Sequence, residues 1–355
     1  MYLAIKEMKK NKSRFALIIA IILLISFLVF FLSALADGLA NDKVSAIRLW
    51  NSRYIVLDKN ANKNIMQSVI PLEDKTVFQE GRPAPLSLMR QSAFINDDRK
   101  EDDLLNIVIM GMDKKSAIFP EILKGKSPAA ENEVVVSDDM QKENGVKIGD
   151  VLHLSKAEQD LKVVGFAKDA KYGNTPVVYG GLKLTDHLFK APDGKRYVNA
   201  FVLTGNRKTS DTKAYETLSM KAFIQKLPGY KAEQMTFLLM IGFLIVIAAI
   251  IIGVFIYIMT LQKKNTFGIM KIQGISSAYI GRSVLMETFL TSVTGVLAGM
   301  LLTLLAGALL PASVPFKANG VYFAVMALLM MGTSLLGAVF SMRSVSKIDP
   351  LKALG

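Results

Sequence analysis

The fold class is decided by residues 15–36, which read FALIIAIILLISFLVFFLSALA and contain no charged side chain. The hydrocarbon core of a bilayer is roughly 30 Å thick, so a helix needs about 20 mostly apolar residues to cross it. A helix in a soluble core would have no reason to be apolar on every face over this length. These residues therefore predict a transmembrane helix.

Three further stretches have the same character, at residues 234–262, 283–310 and 320–342. Their only Asp, Glu, Lys or Arg is Glu287. The whole chain of 355 residues is nevertheless 21% charged, so the apolar runs alternate with ordinary globular sequence. We predict an α-helical membrane protein with four transmembrane helices in a 1+3 arrangement.

Basic residues set the predicted orientation. Twelve lie before the first span, between the second and third spans, and after the fourth, whereas the short loop 311–319 holds only Lys317. Because positively charged loops stay in the cytoplasm, both termini are predicted to be cytoplasmic in a multi-pass protein of the cell membrane. The cytoplasmic parts are then an N-terminal amphipathic helix over 1–14, a connection over 263–282 and a tail over 343–355. The net charge of +13 largely reflects this topology, and we expect no nucleic-acid binding.

A secretory signal peptide is the alternative for the N-terminus, because Ala34-Leu35-Ala36 resembles a cleavage site. The apolar run is longer than a usual signal core, which favours a retained span. The residues before it place Met1, Ile5 and Met8 on one face and lysines on another. That pattern is typical of a helix lying on the inner, anionic membrane surface.

Residues 37–233 are predicted to form an extracellular stalk and an α+β domain between the first and second spans. Six short runs of β-branched or alternating residues predict strands. These runs are Tyr54–Leu57, Ile107–Met110, Glu133–Ser137, Val151–Leu154, Lys162–Phe166 and Thr175–Tyr179. Residues 133–137, 145–154 and 161–165 together are predicted to form a small antiparallel barrel-like unit. Segments 37–50 and 214–227 are predicted to be the helices of the stalk.

The sequence lacks common catalytic signatures. Pro120 stands where a P-loop would have its first glycine, and no Gly-x-Ser-x-Gly elbow occurs. The chain has no cysteine, and His153 and His187 lack the spacing of metal ligands. The acidic cluster within 97–103 is expected to be a solvated loop and not a calcium site. We expect a non-catalytic chain with no metal and no intrinsic cofactor.

Glu287 is a functional candidate, because ionisable residues inside a membrane are costly to bury. Arg282 lies five positions earlier, so the glutamate could pair with it or reach the membrane surface. A structural role, a role in coupling and a role in proton transfer all stay open. Gly295 and Gly299 are four residues apart, a spacing that predicts close helix packing.

Three segments on the predicted cytoplasmic side resemble motifs of one transporter family. They read LAIKEMKKNKSR at 3–14, LQKKNTFGIMKIQGISS at 261–277 and SKIDPLKAL at 346–354. In this order, around a 1+3 arrangement of spans, they resemble the FtsX-like (MacB-type, type VII) ABC transporter permeases. The resemblance implies a homodimer that works with two copies of a separate ATPase subunit, which would bind ATP and Mg²⁺.

The loop between the second and third spans carries apolar residues bounded by lysines. Apolar side chains exposed in so short a connection need a partner surface or, alternatively, the inner leaflet. The family resemblance favours the partner. The predicted ATPase-coupling residues are Phe267, Gly268, Ile269, Met270, Lys271 and Gly274.

Segments 221–237 and 260–271 are similar to those of Gram-positive haem-exporting permeases. This resemblance implies export of haem from the membrane, by mechanotransmission from the ATPase. Haem combines a flat apolar ring with two anionic propionates. The candidate cargo contacts, chosen by depth in the membrane, are Phe30, Phe31, Met235 and Met240, with Tyr230 and Lys231 near the propionates.

Two other functions stay open. The protein could export another amphipathic toxin or an antimicrobial peptide. It could also transport nothing and act as an FtsX-type force transmitter on an external partner.

Overall fold

The computed structural model describes residues 2–96, 104–155, 159–168, 170–188, 194–205 and 211–346. The chain divides into two compact units. We call Met1–Gly38 with Met235–Gly355 the membrane unit and Leu39–Gln234 the inserted domain. The predicted acidic loop at 97–103 and the terminal motif from residue 347 onward lie outside the described residues.

Nine α-helices occur within the described residues. They are α1 (Tyr2–Lys10), α2 (Lys12–Leu49), α3 (Asp138–Asn144), α4 (Leu182–Leu188), α5 (Met220–Lys226), α6 (Tyr230–Gln262), α7 (Lys264–Ile272), α8 (Ser277–Leu309) and α9 (Gly320–Ser346). Short 3₁₀ turns lie within Lys59–Ala61, Ile65–Gln67 and Leu72–Gly81.

Four of these helices, α2, α6, α8 and α9, are long and apolar enough to cross a membrane. The prediction of four transmembrane helices with an α+β domain between the first and the second is confirmed. α8 begins at Ser277, six residues before the predicted start of the third span. Its earlier start has a local cause, because the Ser276 side chain accepts a hydrogen bond from the backbone N–H of Tyr279 and caps the helix.

Small residues allow the spans to approach closely, as the sequence predicted. A Cβ added to Gly299 would lie 2.7 Å from the backbone oxygen of Leu23 on α2, and one added to Gly295 would lie 2.6 Å from the side chain of Ile22. Any side chain at these positions would therefore force α8 away from α2. On the other side of the bundle, α9 meets α6 where Gly337 faces Gly253.

The inserted domain contains the strands. Within the described residues they are β1 (Tyr54–Asp58), β2 (Ile70–Pro71), β3 (Pro83–Ile95), β4 (Leu105–Met112), β5 (Ile122–Gly125), β6 (Glu133–Ser137), β7 (Val151–Leu154), β8 (Asp160–Ala167), β9 (Lys171–Tyr172), β10 (Thr175–Gly180), β11 (Tyr197–Val198), β12 (Ala200–Leu203) and β13 (Tyr215–Ser219). All six predicted strands are present.

Six strands close a ring in the order β3, β4, β10, β6, β8 and β7, with β7 returning to β3. The predicted barrel-like unit is therefore present, but its antiparallel character was wrong. β6 pairs with β8 in parallel, and β4 pairs with β10 in parallel. Both pairs are joined by crossover segments longer than a hairpin turn, and such segments allow neighbouring strands to run in one direction.

The ring strands bury both of their faces. Val134, Val136 and Val178 belong to one buried cluster, and the intervening Val135 and Val177 belong to another. Successive strand residues point to opposite faces, so continuous apolar runs such as Val134-Val135-Val136 are expected where both faces are covered. The domain is thus built around the ring, with one core inside it and a larger core outside.

Of the two predicted stalk helices, the first is confirmed and the second is only partly correct. α2 runs on to Leu49, which confirms a helical continuation of the first span. The second segment, 214–227, is not one helix, because Tyr215–Ser219 is strand β13 and only Met220–Lys226 is helical. The alternating residues of β13 pair with β1 along its whole length, and this pairing overrides local helix propensity.

Candidate functional site

The segment between the second and third spans, residues 263–276, is here called the connecting segment. Its helix α7 starts where the backbone N–H of Phe267 donates to the carbonyl of Lys263, 2.9 Å away. It ends at Ile272, and Gly274, with a φ of +84°, then reverses the chain. The Ile275 N–H then bonds the Met270 carbonyl and the Gly274 N–H bonds that of Lys271, which is the Schellman arrangement. A short, well-defined helix therefore links the two spans.

The structure divides the predicted coupling residues into two groups. Phe267 is 3% exposed and packs in the core of the membrane unit, and Gly268 is buried beside it. Ile269 is 47% exposed, and the nearby Ile272 is 52% exposed. Met270 packs partly against the core. The apolar surface of the connecting segment is thus formed by Ile269 and Ile272, and Phe267 anchors α7 from inside.

Lys263, the residue before α7, lies between two carboxylates. Its ammonium is 2.8 Å from Glu287 Oε2 on α8 and 3.1 Å from Glu7 Oε2 on α1. We call Glu7, Lys263 and Glu287 the ion cluster. The side chains of Lys263 and Glu287 are 10% and 8% exposed, so the pair is largely withdrawn from solvent.

The partner of Glu287 was not foreseen from the sequence. Arg282, five residues away, is exposed in the structure, and Lys263 holds the glutamate instead. Position 282 lies more than one helical turn before Glu287, and side chains on a helix meet at spacings of three or four. In the sequence, Lys263 is one of twelve basic residues that predict the topology, and no pattern distinguishes Glu7.

In the inserted domain, polar contacts tie the continuation of α2 to the β structure. The Lys171 ammonium lies 2.7 Å from Glu143 Oε1 and 3.3 Å from Asp42 Oδ2. The Lys171 backbone N–H also donates to the Ser45 hydroxyl, 2.8 Å away. At the end of the domain, Lys43 pairs with Glu233 at the start of α6. The helix that enters the domain is therefore held both by β9 and by the helix that leaves it.

No candidate metal site emerges from the part of the chain that the structure describes: it holds no group of three His, Asp or Glu side chains placed for a metal ion. His153 Nδ1 lies 2.6 Å from Asp160 Oδ1, directly across the β7–β8 pair. His153 therefore has a structural role as the cross-strand partner of Asp160. The side chain of His187 lies outside the described residues.

Residues 238–350 match the family model described as the FtsX-like permease C-terminal. The matched residues cover spans two to four, so this part of the chain is similar to FtsX-like permeases. The family resemblance drawn from the motifs is thereby confirmed.

Relatives of this permease extend over its full length. It is 25% identical over 355 residues to a protein of Staphylococcus haemolyticus named as the hemin transport system permease HrtB, with 100% of this chain and 99% of that protein covered. The corresponding protein of Staphylococcus epidermidis is 26% identical over 357 residues, with 100% and 99% coverage. An uncharacterised ABC transporter permease of Mycobacterium tuberculosis is 23% identical over 366 residues, with 100% and 99% coverage.

Solved structures show weaker likeness. The extracellular domain of the ABC-type transporter YknZ from Gram-positive bacteria gives a TM-score of 0.34 at 11% identity, covering 47% of the permease and 100% of that chain. The periplasmic region of MacB from Actinobacillus actinomycetemcomitans gives a TM-score of 0.37 at 10% identity, covering 53% and 97%.

The candidate cargo residues of the permease lie on α2 and α6. Phe30 is fully buried and its ring packs 5.1 Å from that of Phe323 on α9. Phe31 contacts the rings of Phe27 and Phe316. On α6, Met235 and Met240 are 52% and 45% exposed. The two phenylalanines therefore contribute to packing within the membrane unit, and the two methionines lie on its surface.

Tyr230 and Lys231, the remaining candidates, belong to the inserted domain. Tyr230 is half-buried and its hydroxyl accepts a hydrogen bond from Gln234. Lys231 is exposed. Their contact with a cargo stays a prediction, as it does for the four residues on the spans.

Proposed function

We propose that this chain is the permease subunit of an ABC efflux transporter that exports haem from the membrane. The observation that carries the proposal is the full-length similarity to two staphylococcal proteins named as hemin transport permeases. It extends over the spans, the connecting segment and the inserted domain alike. The likeness therefore goes beyond the permease domain shared by the wider family.

The proposed orientation places both termini and the connecting segment in the cytoplasm and the inserted domain outside the cell. The distribution of basic residues supports it, with twelve on one side and Lys317 alone in the opposite short loop. In this orientation α7 faces the compartment where ATP is available.

The energy source is proposed to be a separate ATPase, present in two copies with a homodimer of this permease. Ile269 and Ile272 support the interaction, since exposed apolar side chains on a short helix favour binding in a groove of a partner. Because Phe267 packs in the core, force on α7 is expected to reach the spans without first deforming a flexible loop.

Outside the membrane, movement is proposed to pass along α2 and α6 into the inserted domain as a two-state change. The contacts of Lys171 with Asp42 and Glu143, and that of Lys43 with Glu233, support this route. Each of them fixes a helix that continues from a span to other parts of the domain. Mechanotransmission needs such joints, because a loosely attached helix would move without displacing its neighbours.

The cargo contacts remain those predicted from depth in the membrane. Met235 and Met240 are exposed on α6 and offer thioethers to the iron or apolar contact to the ring. Lys231 is exposed and could neutralise a propionate. Phe30 and Phe31 would shape the site from α2 through packing.

Deletion of the gene tests the cargo. The deletion strain should become sensitive to haem, and a plasmid copy should restore growth only when the ATPase is also present. Detergents and antimicrobial peptides, tested in parallel, should have little effect. Equal haem tolerance in the deletion and parent strains would remove haem as the cargo. Selective sensitivity to peptides would instead favour export of another amphipathic toxin.

The purified permease–ATPase complex tests the site. Hemin should shift its absorbance band on binding, and Met235→Leu should alter the shift because it keeps the size and loses the sulfur. Met326→Leu on α9 is the matched control and should leave the spectrum unchanged. An identical spectrum for all three proteins would exclude Met235 as an iron ligand.

A further inference from the structure

The ion cluster joins three elements that are separate in the sequence. Glu7 comes from α1, Lys263 from the start of the connecting segment and Glu287 from α8. The backbone of Lys263 also links α6 to α7. Its N–H donates to the carbonyl of Thr260 on α6, and its carbonyl accepts from the N–H of Phe267 on α7. Lys263 therefore cannot stay in place if α7 is displaced relative to the spans.

The cluster brings one ammonium to two carboxyl groups. The ring of Phe15 lies 5.5 Å from the same ammonium. Burial works against ionisation of Glu7, yet its hydrogen bond with Glu287 and the charge of Lys263 lower the pKa of Glu7 below its ordinary value. A hydrogen bond between two carboxyl groups needs a proton on one of them, so the cluster holds one ammonium, one carboxylate and one shared proton in a site shielded from solvent.

The carboxylate of Glu287 is also incompletely satisfied. Its Oε1 atom is buried, and no amide, hydroxyl or ammonium group among the described residues donates to it. Burying a carboxyl oxygen without such a donor costs free energy, so Glu287 depends on Lys263 and Glu7 for its polar contacts. The hydroxyls of Thr288 and Thr291 on the same helix donate to backbone carbonyls of α8.

A small cavity borders the cluster. Its volume is about 30 Å³, and Phe15, Ile18, Met259, Lys263 and Glu287 are among the side chains that line it. Protein interiors are otherwise densely packed, so a side chain usually cannot move without displacing its neighbours. This cavity lies beside Lys263 and Glu287 and leaves their side chains less tightly packed than the rest of the core.

We propose that Glu7, Lys263 and Glu287 are positioning residues for the ATP-driven movement of the permease. The Lys263 ammonium moves with α7 and carries the displacement to α8 through Glu287 and to α1 through Glu7. The inference rests on the proposed function, because it needs an ATPase that acts on α7. It adds a specific route by which one short helix moves two others.

The test measures two quantities for each variant, the hemin exported per ATP hydrolysed and the stability of the folded chain. Changing Lys263 alone leaves two buried carboxyl groups without their cation and is expected to destabilise the chain. The triple variant Glu7→Gln/Lys263→Met/Glu287→Leu removes all three ionisable groups and should fold and co-purify with the ATPase. We expect its hemin export per ATP hydrolysed to fall roughly tenfold, within the range typical of coupling between sites. Lys264→Met, an exposed neighbour, should keep the wild-type ratio.

A second variant keeps the test decisive if the triple variant does not fold. Glu287→Asp retains the charge but withdraws the carboxylate by one methylene group. We expect a several-fold lower export per ATP at unchanged thermal stability. A wild-type ratio in either folded variant would overturn the proposal and leave the cluster a purely structural feature.

A readout independent of cargo separates this proposal from the assignment of haem. The chain has no cysteine, so spin labels at Asn265→Cys on α7 and Arg282→Cys on α8 would report only their own separation. ATP with vanadate should change that distance in the wild-type background and not in the triple variant. If hemin has no effect on the complex but this difference is seen, the cargo is wrong and the cluster stands. If the distance change is the same in both backgrounds, the cluster proposal fails.

Discussion

Lys43 on α2 and Glu233 on α6 form an ion pair that joins the helix entering the inserted domain to the helix leaving it. The two residues are 190 positions apart, and their side chains are 13% and 24% exposed. The pair closes the domain at its ends, where the chain connects with the first and second spans. It is therefore placed to hold the two helices together when either is moved.

Loss of this pair should weaken the domain. Glu233→Ala is expected to lower the free energy of unfolding by about 1–2 kcal/mol, between the values for exposed and buried pairs. Thermal unfolding of the full chain in detergent measures the change. The double variant Lys43→Glu/Glu233→Lys restores opposite charges and should recover most of it. If the double variant unfolds at the same temperature as Glu233→Ala, the ion pair contributes little to the stability of the domain.

The pKa of Lys171 leads to a prediction about stability at alkaline pH. Burial opposes its charge, but the hydrogen bond to Glu143 and the charges of Asp42 and Asp139 together raise the pKa of Lys171 above its ordinary value of 10.5. A pKa that is higher in the folded than in the unfolded state stabilises the fold fully below the unfolded pKa. That contribution is lost as pH rises through the folded pKa.

Lys171→Met should therefore lower the unfolding temperature near neutral pH. It should also flatten the loss of stability that the wild type shows above about pH 10.5. Lys168→Met, at an exposed position close by, is the control and should follow the wild-type curve. If unfolding temperature falls with rising pH in the same way for the wild type and Lys171→Met, the charge of Lys171 does not stabilise the fold.

Gly299 tests the close approach of α8 to α2. A Cβ at this position would lie 2.7 Å from the Leu23 carbonyl oxygen, so Gly299→Ala must push backbone away from backbone. Overpacking of this kind is expected to cost about 1–3 kcal/mol, more than the gain in helix propensity. Gly332→Ala on α9 meets no atom within 4 Å and should be neutral or stabilising. Equal thermal stability of the two variants would argue against tight packing at Gly299.

Phe267 and Ile269 should respond in opposite ways because one is buried and the other exposed. Phe267→Ala is expected to cost about 3–5 kcal/mol of stability through the cavity it leaves. Ile269→Asp should change stability by less than about 0.5 kcal/mol, as surface substitutions usually do. It should instead reduce ATPase co-purification at least about tenfold, as loss of a central interface residue does. Normal co-purification of Ile269→Asp would exclude this surface as the binding site.

The sequence was most informative where a pattern is local. Apolar length alone predicted the four spans, and short β-branched or alternating runs predicted β1, β4, β6, β7, β8 and β10. β3 was missed although it is the longest strand among the described residues, because Pro83 and Pro85 argue against a strand. In the structure these prolines lie where β3 pairs only with β12, before its pairing with β4 begins at Leu86, so their missing N–H groups are tolerated.

Contacts between residues far apart in the chain could not be predicted from the sequence. Glu287 was identified from its cost in a membrane, yet its partner Lys263 is 24 residues away and Glu7 lies on another helix. The direction of β6 relative to β8 depends on the path of the chain between them and not on the strands themselves. The exposure of Ile269 and the burial of Phe267 likewise follow from how α7 packs, which a short apolar motif does not determine.

The placement of β1 has a consequence for biosynthesis. This strand is made near the beginning of the inserted domain, yet its partners β12 and β13 are the last strands of that domain. While the ribosome is still producing the intervening residues, β1 has apolar side chains and two edges of unpaired backbone N–H and C=O groups, and such edges favour association with other chains. The nascent protein should therefore depend on a chaperone until its final strands emerge, and chains truncated before β12 should aggregate instead of forming a smaller folded domain.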